Sequence, residues 1–255
     1  DPVFGYSSSN LADWVHEVSG GARRAVPVPG GRPEEVAVAL RRAGRGDVVV
    51  PDVADDDELG AVLTGLTLAR AAGARPVVRC AASFAAACAG TTGRVVNRIA
   101  VPAPGRVLVV CGSITEASTR QLRALGPLWT ERVTLEGSTR DVAEAVRACL
   151  RGQGRALLVT PRQRSDVSAE ALMDSLVDVV GEVVGEVDVV LAKGGITSAR
   201  VARDSFGADA ADVLGQPLPG VALWRLDTGH PYVVVPGNVG DDATLATLLG
   251  KLESR

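Results

Sequence analysis

The chain has 255 residues, of which 46% are hydrophobic and 22% charged, and its formal net charge at pH 7 is −3. These values are ordinary for a soluble globular protein, and the slightly acidic balance without a basic stripe excludes a typical nucleic-acid-binding surface. No stretch is long and apolar enough to predict a membrane span, and no signal-peptide pattern opens the chain.

The cysteine and histidine content indicates the compartment of the protein and the metal sites that it can hold. The four cysteines form no C-x-x-C pattern, and each lies in or beside an apolar run. They are typical of small buried side chains in a reducing compartment, which predicts a cytoplasmic location. Since the chain has only two histidines, a histidine-based zinc site is not expected, and we predict no protein-bound metal centre.

The first thirty residues differ in character from the rest. They hold a large share of the few aromatic side chains, and Asn10 precedes an apolar stretch that predicts a short capped helix from residue 11. Residues 27–31 contain proline and glycine and predict a loop. We therefore predict that residues 1–30 form an opening segment that packs on a missing N-terminal domain, and that residues 31–255 form one nucleotide-binding α/β domain.

From residue 47 onward, short apolar runs alternate with helical patterns. The apolar runs predict strands at 47–51, 76–80, 106–110, 133–135, 156–160, 189–191 and 231–235. The helical patterns predict helices at 55–72, 83–89, 116–125, 139–150, 168–184, 198–206 and 242–252, with a loop at 90–103. Near-continuous apolar strands separated by helices are typical of a parallel sheet buried on both faces. The predicted fold class is α/β, a doubly wound, mainly parallel sheet with helices on both faces, as in a Rossmann-like three-layer sandwich.

Three of the predicted strands end in turns that contain glycine. These turns lie at 111–113, 194–195 and 237–240. Ligands of open parallel sheets bind at the carboxyl ends of the strands, so three such turns at one edge predict a phosphate-binding crevice. The second turn matches neither a P-loop nor G-x-G-x-x-G. An ordinary strand-to-helix turn capped by Ser198 is therefore the alternative there.

Several polar residues near these turns have two interpretations each. Lys193 either neutralises a phosphate or is a surface lysine. Ser113 either bonds phosphate or ribose, or caps the following helix. Asn238 either fixes its own turn or contacts the nucleoside. The acidic pair Asp241 and Asp242 either holds Mg²⁺ through water or marks the start of a helix.

Five sets of short stretches, taken in order, carry a resemblance to a known family. They are D-P-V at 1–3 with N-L at 10–11, V-C-G-S at 110–113 with T-R-Q-L at 119–122, L-A-K-G-G-I-T-S at 191–198, V-L-G-Q at 213–216 with P-G-V at 219–221, and P-Y-V-V at 231–234 with P-G-N-V-G at 236–240. Each is weak alone, but the ordered set spans nearly the whole chain. On these stretches the chain resembles the C-terminal, nucleotide-binding part of the four-carbon acid sugar kinases.

The resemblance implies an ATP-dependent kinase that phosphorylates a small sugar acid, such as a threonate or erythronate derivative. Phosphoryl transfer of this kind usually uses Mg²⁺ to bridge the phosphates. By the same resemblance, ATP lies against the glycine turns of this domain. The residues expected at the nucleotide site are Ser113, Lys193, Gly194, Gly195, Ile196, Thr197, Gly237 and Asn238.

The chain departs from the family pattern in one respect. The family's N-terminal domain carries a D-D-x-T-G-A type motif for substrate binding and catalysis, and the acidic run at 55–57 lacks the following threonine and glycine. We therefore expect the N-terminal domain to be absent, and the catalytic residues are not assigned. Alone, the chain is expected to bind nucleotide but to turn over poorly or not at all, and a homodimer is left open.

Two other functions are compatible with the same residues. One is a non-catalytic module, in which the glycine turns hold a nucleotide or a phosphorylated metabolite for regulation. The other is an unrelated α/β enzyme such as a nucleotide-sugar transferase, whose D-x-D metal pattern is met only formally by Asp55 and Asp57. We interpret these two acids as the opening of a helix, where carboxylates complement the helix dipole.

Overall fold

The computed structural model describes residues 5–91, 93–126, 132–161 and 167–254. The chain divides into two compact units, residues 1–92 and 93–255. This division lies well beyond the predicted boundary at residues 30 and 31. The difference arises because the elements after residue 30 complete an apolar core with those before it.

Among residues 5–91, two parallel strands and four helices build the first unit. They are α1 (Leu11–Val18), β1 (Ala25–Val28), α2 (Pro33–Arg42), β2 (Val48–Pro51), α3 (Asp56–Ala71) and α4 (Ala82–Ala89). Their buried cluster combines Val28 of β1 with Val36, Val62, Leu66 and Phe84 from the helices. Because β1 and the later helices share this one core, residues 1–30 do not form a separate segment.

Helices α2 and α3 approach each other closely at a glycine. A Cβ on Gly65 would lie 2.6 Å from the carbonyl oxygen of Pro33 and 2.7 Å from Cβ of Val36. Only a residue without a side chain allows this contact. Helix α3 is opened by Asp55, whose carboxylate accepts the backbone N–H of Glu58 at 2.9 Å. The acidic run at 55–57 therefore lies at a helix start, as predicted.

Two predictions for this unit were wrong. No strand is formed at 76–80, where Val77 is 97% exposed. The described strands of this unit, β1 and β2, pair only with each other, so this segment has no strand partner. Helix α2 was not predicted at all, and β1 occupies part of a segment that was predicted as loop. Pro27 lies within β1, and a proline in a short run is a signal that normally argues against a strand.

The second unit contains most of the regular elements. Its described strands are β3 (Ile99–Val101), β4 (Val107–Cys111), β5 (Arg132–Thr134), β6 (Arg155–Val159), β7 (Val189–Lys193), β8 (Ala211–Leu218), β9 (Val221–Leu226), β10 (Pro231–Val235) and β11 (Leu252–Ser254). Its described helices are α5 (Glu116–Ala124), α6 (Thr139–Gln153), α7 (Ala169–Val183), α8 (Gly195–Arg200) and α9 (Thr244–Gly250). A π-helical turn, Val201–Ser205, continues α8.

Seven of these described strands form one sheet in the order β5-β6-β4-β7-β10-β9-β8. The first five in this order are parallel, and β9 and β8 add an antiparallel hairpin at one edge. Strands β11 and β3 form a separate parallel pair. The mainly parallel, doubly wound sheet confirms the predicted fold class.

Helices cover both faces of the sheet. Alternate residues of β4 show this directly, since Leu108 and Val110 belong to one apolar cluster and Val109 and Cys111 to another. The first cluster includes buried residues of α6 and α7, and the second includes those of α5 and α9. This is the layered arrangement that the near-continuous apolar strands predicted.

Three features of this unit differ from the prediction. The β8–β9 hairpin was missed, and a short strand, β3, lies in the segment predicted as loop. Helix α8 begins at Gly195 rather than at residue 198, with Gly194 as its N-cap. Ser198 is therefore not a cap: its hydroxyl donates to the carbonyls of Ala192 and Gly194 at 3.0 and 2.7 Å, respectively.

Candidate functional site

Three adjacent parallel strands end at the same level of the sheet. In the strand register, Lys193 at the end of β7 lies between Cys111 of β4 and Val235 of β10. The residues that follow these three positions are the three glycine turns. The structure therefore brings the turns together at the carboxyl edge, where ligands of such sheets bind.

The first two turns are in contact without room for side chains. A Cβ on Gly112 would lie 2.4 Å from Oγ1 of Thr197, and one on Gly194 would lie 2.9 Å from the same atom and 3.2 Å from Cβ of Ser113. Gly194 also has φ of +119°, a conformation that other residues rarely adopt. Glycine is thus required at both positions by contact, and at Gly194 by backbone conformation as well.

The third turn meets the first through a cluster of hydroxyl groups. The hydroxyls of Thr115 and Ser118 lie 2.8 and 3.0 Å from the carbonyl oxygen of Gly237 and can donate to it. Oγ of Ser113 lies 2.9 Å from Oγ of Ser118. A Cβ on Gly237 would come within 2.6 Å of Oγ of Ser113. Ser113 therefore lies between the first and third turns, next to glycine backbone.

The N-terminus of α8 is the open part of this site. Gly195 and Ile196 are exposed, with 73% of Ile196 accessible, whereas Thr197 is buried. The helix has no side-chain cap, and a Cβ added to Gly195 would meet nothing within 4 Å. Unpaired N–H groups of a first helical turn favour an anion. The segment can therefore present backbone donors to a phosphate.

Lys193 occupies a different position from the open face. Its side chain is fully buried, and its ammonium group donates to the carbonyls of Pro236 and Val239 at 2.8 and 3.3 Å. Burial lowers the pKa of Lys193 from 10.5 to about 8, opposed by the charge of the neighbouring Cys111. The alternative of a surface lysine is thus excluded, and the ammonium group contacts the third turn.

The third turn has further attachments to the helices around it. Nε2 of Gln121 in α5 donates to the carbonyl of Val239 at 3.0 Å, and Arg120 pairs with Asp242 at 2.8 Å. The Asp241 carboxylate accepts from the hydroxyl of Thr244 at 3.0 Å. Both acids of the pair at 241–242 are thus engaged within the protein, which agrees with their interpretation as residues at a helix start.

The structure separates the predicted site residues into three groups. Gly194 adjoins both Thr197 and Ser113, and Gly237 adjoins Ser113. Gly195, Ile196 and Asn238 are exposed at the same edge, and Lys193 is buried behind the third turn. Sequence reasoning missed Thr115, Ser118 and Gln121. Thr115 and Ser118 could have been predicted, because they are hydroxyl residues at i and i+3 directly after a strand and its glycine turn.

No metal centre is evident in the described residues. Within 5–91, 93–126, 132–161 and 167–254, no three His, Cys, Asp or Glu side chains come close enough to hold an ion together. A magnesium ion that arrives with nucleotide phosphates needs few protein ligands, because Mg²⁺ usually keeps several waters.

Hydropathy gives one further structural finding. Among the helices in the described ranges, none combines the length and the apolar character that crossing a bilayer requires.

The fold and the converging glycine turns define a doubly wound α/β domain of the nucleotide-binding class. Residues 108–245 match the family model described as a nucleotide-binding C-terminal domain, and residues 1–88 match the model described as a sugar-binding N-terminal domain. The chain belongs to the family with this pair of domains, which is the architecture of the four-carbon acid sugar kinases. The second match assigns residues 1–88 to the N-terminal model, where only a 30-residue opening segment was predicted.

Solved structures of the DUF1537 family resemble the chain. A Haemophilus influenzae protein is 16% identical with a TM-score of 0.56, over 95% of this chain and 64% of its own. A Salmonella typhimurium LT2 protein described as a putative tRNA synthase is 16% identical with a TM-score of 0.55, over 88% and 59%. A Bordetella bronchiseptica protein, solved with citrate as a domain-swapped dimer, is 22% identical with a TM-score of 0.49, over 97% and 62%. The chain thus spans about three-fifths of the length of these proteins. No curated protein matches it.

The contact between the first two turns predicts a sharp difference between two glycines of the site. Gly112→Ala forces a methyl group against Thr197 and should lower the free energy of unfolding by roughly 1–3 kcal/mol, as overpacking does. Gly195→Ala places the same methyl in open space at a helix start and should leave stability unchanged within about 0.5 kcal/mol. Urea unfolding of both variants measures this difference, and equal stability of the two would contradict the tight packing.

Burial of Lys193 predicts a pH-dependent stability. Its pKa falls from 10.5 to about 8 on folding, so between these pH values the unfolded chain holds a proton that the folded chain has released. Stability then rises with pH, by up to about 1.4 kcal/mol per pH unit from this group. Below pH 8 both the folded and the unfolded chain hold this proton, so the pH dependence from Lys193 vanishes and its full desolvation cost remains.

Urea unfolding of the wild type and of Lys193→Met at pH 7, 8, 9 and 10 tests this expectation. The wild type should gain stability relative to the variant from pH 8 upward. Cys111, the titratable neighbour of Lys193, is present in both proteins. A stability difference that stays constant with pH would show that Lys193 is not charged and buried.

Proposed function

We propose that the three glycine turns form a site for ATP with bound Mg²⁺. The observation that carries this proposal is the coincidence of two results. The residues that match a nucleotide-binding domain, 108–245, contain all three turns, and the register of β4, β7 and β10 places those turns at one edge. Nucleotide binding follows from the family model, and the choice of ATP is the finer inference.

The chemistry of the turns supports a phosphate ligand. The segment 194–197 offers an uncapped helix start with exposed backbone at Gly195. Ser113 lies beside it and adds a hydroxyl close to the glycine backbone of the third turn. Backbone N–H groups and hydroxyls are the groups that commonly hold phosphate at such edges. We assign the phosphates to these residues and the nucleoside to the side of Asn238.

The proposed reaction is phosphorylation of a four-carbon sugar acid by the complete protein. Bound Mg²⁺ would neutralise charge on the transferred phosphate, and the chain's own residues would hold and orient the nucleotide. Support for the sugar acid comes from the match of residues 1–88 to a sugar-binding domain and from the resemblance to the four-carbon acid sugar kinases. The glycine turns supply neither the binding site for the acceptor nor the catalytic base of this reaction.

A non-catalytic binding module is the second candidate. It is favoured by one observation: none of the residues of the three turns, at 111–113, 194–195 and 237–240, is a carboxylate or a histidine that could act as a general base. In that case the same turns would hold a nucleotide or a phosphorylated metabolite without transferring a group.

Calorimetric titration with ATP and ADP, with and without Mg²⁺, tests the site directly. Saturable binding is expected for the wild type. Gly195→Val should weaken it by roughly tenfold or more, which corresponds to about 1.4 kcal/mol. The added side chain projects into open space in front of the helix start, so it should obstruct the ligand without disturbing the fold.

A matched control is Gly181→Val, an exposed glycine of α7 whose added Cβ also meets nothing within 4 Å. It should bind nucleotide as the wild type does. Equal binding by Gly195→Val and the wild type would place the nucleotide elsewhere. Absence of binding by this chain and by the full-length protein would argue against a nucleotide site.

A phosphorylation assay separates the two candidate functions. The chain alone, given ATP, Mg²⁺ and threonate or erythronate, should transfer little or no phosphate because the catalytic motif is missing. A protein that joins residues 93–255 to an N-terminal domain with a D-D-x-T-G-A type motif should transfer phosphate, and ADP release would follow this transfer. No transfer by the complete protein, despite nucleotide binding, would favour the non-catalytic module.

A further inference from the structure

Lys193 is a buried cation without a carboxylate partner among the described residues. Its ammonium group is fully buried and donates to two backbone carbonyls, those of Pro236 and Val239. The ionisable group whose charge acts on its pKa is Cys111 of β4 rather than an acid. Carbonyl oxygens carry only partial charge, so they compensate incompletely for the loss of water around an ammonium ion.

Stability does not account for a lysine at this position. Burial disfavours its charged form, as its lowered pKa indicates. A hydrophobic residue of similar size would avoid this cost, as replacements of other buried charges show. The side chain is better explained by what its ammonium group holds in place.

What it holds is the third glycine turn, which carries Gly237 and Asn238. Two different elements hold this turn through one atom, the carbonyl oxygen of Val239. Lys193 donates to it from β7, and Gln121 donates to it from α5. Gln121 is itself fully buried, and its Oε1 is the one buried side-chain oxygen or nitrogen in the described ranges that has no hydrogen-bond partner.

We propose that Lys193 and Gln121 are positioning residues of the nucleotide site, which fix the third glycine turn through the Val239 carbonyl and do not touch the nucleotide. This inference rests on the proposed nucleotide-binding function. It replaces a direct lysine–phosphate contact, because the ammonium group is fully buried and already engaged by two carbonyls. The glycine backbone at 237 then reaches the ligand only while the turn is held.

The first experiment compares the only two lysines of the chain by the same substitution. Lys193→Met should weaken ATP binding by roughly 10- to 100-fold, the range expected when a supporting hydrogen-bonded residue is lost. Lys251→Met, which removes an exposed ammonium group at the end of α9, should leave ATP binding unchanged. Gln121→Met removes the other donor to the Val239 carbonyl and should also weaken ATP binding.

Salt dependence distinguishes a positioning role from a phosphate contact. A charge that touches the phosphates in a solvated site would contribute to the fall of affinity with salt, and its removal would flatten that fall. A buried lysine that acts through the turn is screened little, so ATP affinity of Lys193→Met should fall with salt as steeply as that of the wild type. A flatter dependence in the variant would overturn the proposal in favour of direct contact.

A double-mutant cycle tests whether the two residues act through one carbonyl. Once Lys193→Met has released the turn, Gln121→Met should cost little further affinity, so the double variant should bind almost as well as the weaker single variant. Additive losses would show that the two residues act independently. Hydrogen exchange should become faster at residues 237–240 in each single variant and stay unchanged in the strands.

The outcomes for this inference and for the proposed function are separable. A wild type that binds ATP, together with a Lys193→Met variant that binds equally well, overturns only the positioning role. A wild type that binds no nucleotide, alone or at full length, overturns the proposed function and this inference with it. If Lys193→Met does not fold, the ATP affinity of Gln121→Met and its hydrogen exchange at residues 237–240 provide the test.

Discussion

The arrangement of the second unit depends on one constraint, the equal level at which three parallel strands end. The register places Cys111, Lys193 and Val235 side by side. Three turns must therefore leave the sheet through the same small space. Side chains would not fit there, which is why Gly112, Gly194 and Gly237 each have a neighbouring atom inside the volume of an added Cβ.

Polar groups fill the gaps that the glycines leave between the turns. The hydroxyls of Thr115 and Ser118 satisfy the carbonyl of Gly237, and Ser198 satisfies the carbonyl of Gly194. On the other side of the edge, Tyr232 of β10 donates to the carbonyl of Ser198 at 2.9 Å, and burial raises its pKa. Each turn is thus held by hydrogen bonds from a neighbouring element, so the site has a defined shape before a ligand arrives.

A site of this kind requires a compromise between stability and function. The buried ammonium group of Lys193 and the unpaired oxygen of Gln121 both carry a desolvation cost. Such costs concentrate where a protein must hold backbone in one functional arrangement, because natural proteins are selected for sufficient stability rather than for the maximum. The parallel strands below, with β4 and β7 almost completely buried, supply the stability that offsets them.

The strands that form the edge were predictable because their signals are local. β4, β7 and β10 are apolar runs followed by glycine, and parallel pairing then implies that their ends meet. The β8–β9 hairpin was missed because its segment contains Gly215, Pro217 and Gly220, which interrupt the alternation of a strand. The burial of Lys193 was not predictable, since its partners lie more than forty positions later in the chain and the sequence alone does not place them.

Local sequence patterns could not predict the division into two units either. The core of the first unit joins Val28 to Leu66 and Phe84, and such long-range packing leaves no mark at residue 30. The site residues show the same limit. Ser113 and Gly194 were predicted at this edge because glycines and hydroxyls cluster in the sequence, whereas Gln121 lies within a helix and reaches the third turn only through tertiary packing.

The order of the strands in the sheet determines when the crevice can form during synthesis of the chain. Thr115, just after the first turn, contacts Gly237 across 122 positions, and β10, which lies between β7 and β9, is synthesised only after β8 and β9. A nascent chain that emerges from the ribosome therefore lacks one wall of the crevice until nearly all of the domain has been synthesised. Any product shortened before residue 235 would lose β10 and the third turn together, leaving β7 without its parallel neighbour on that side.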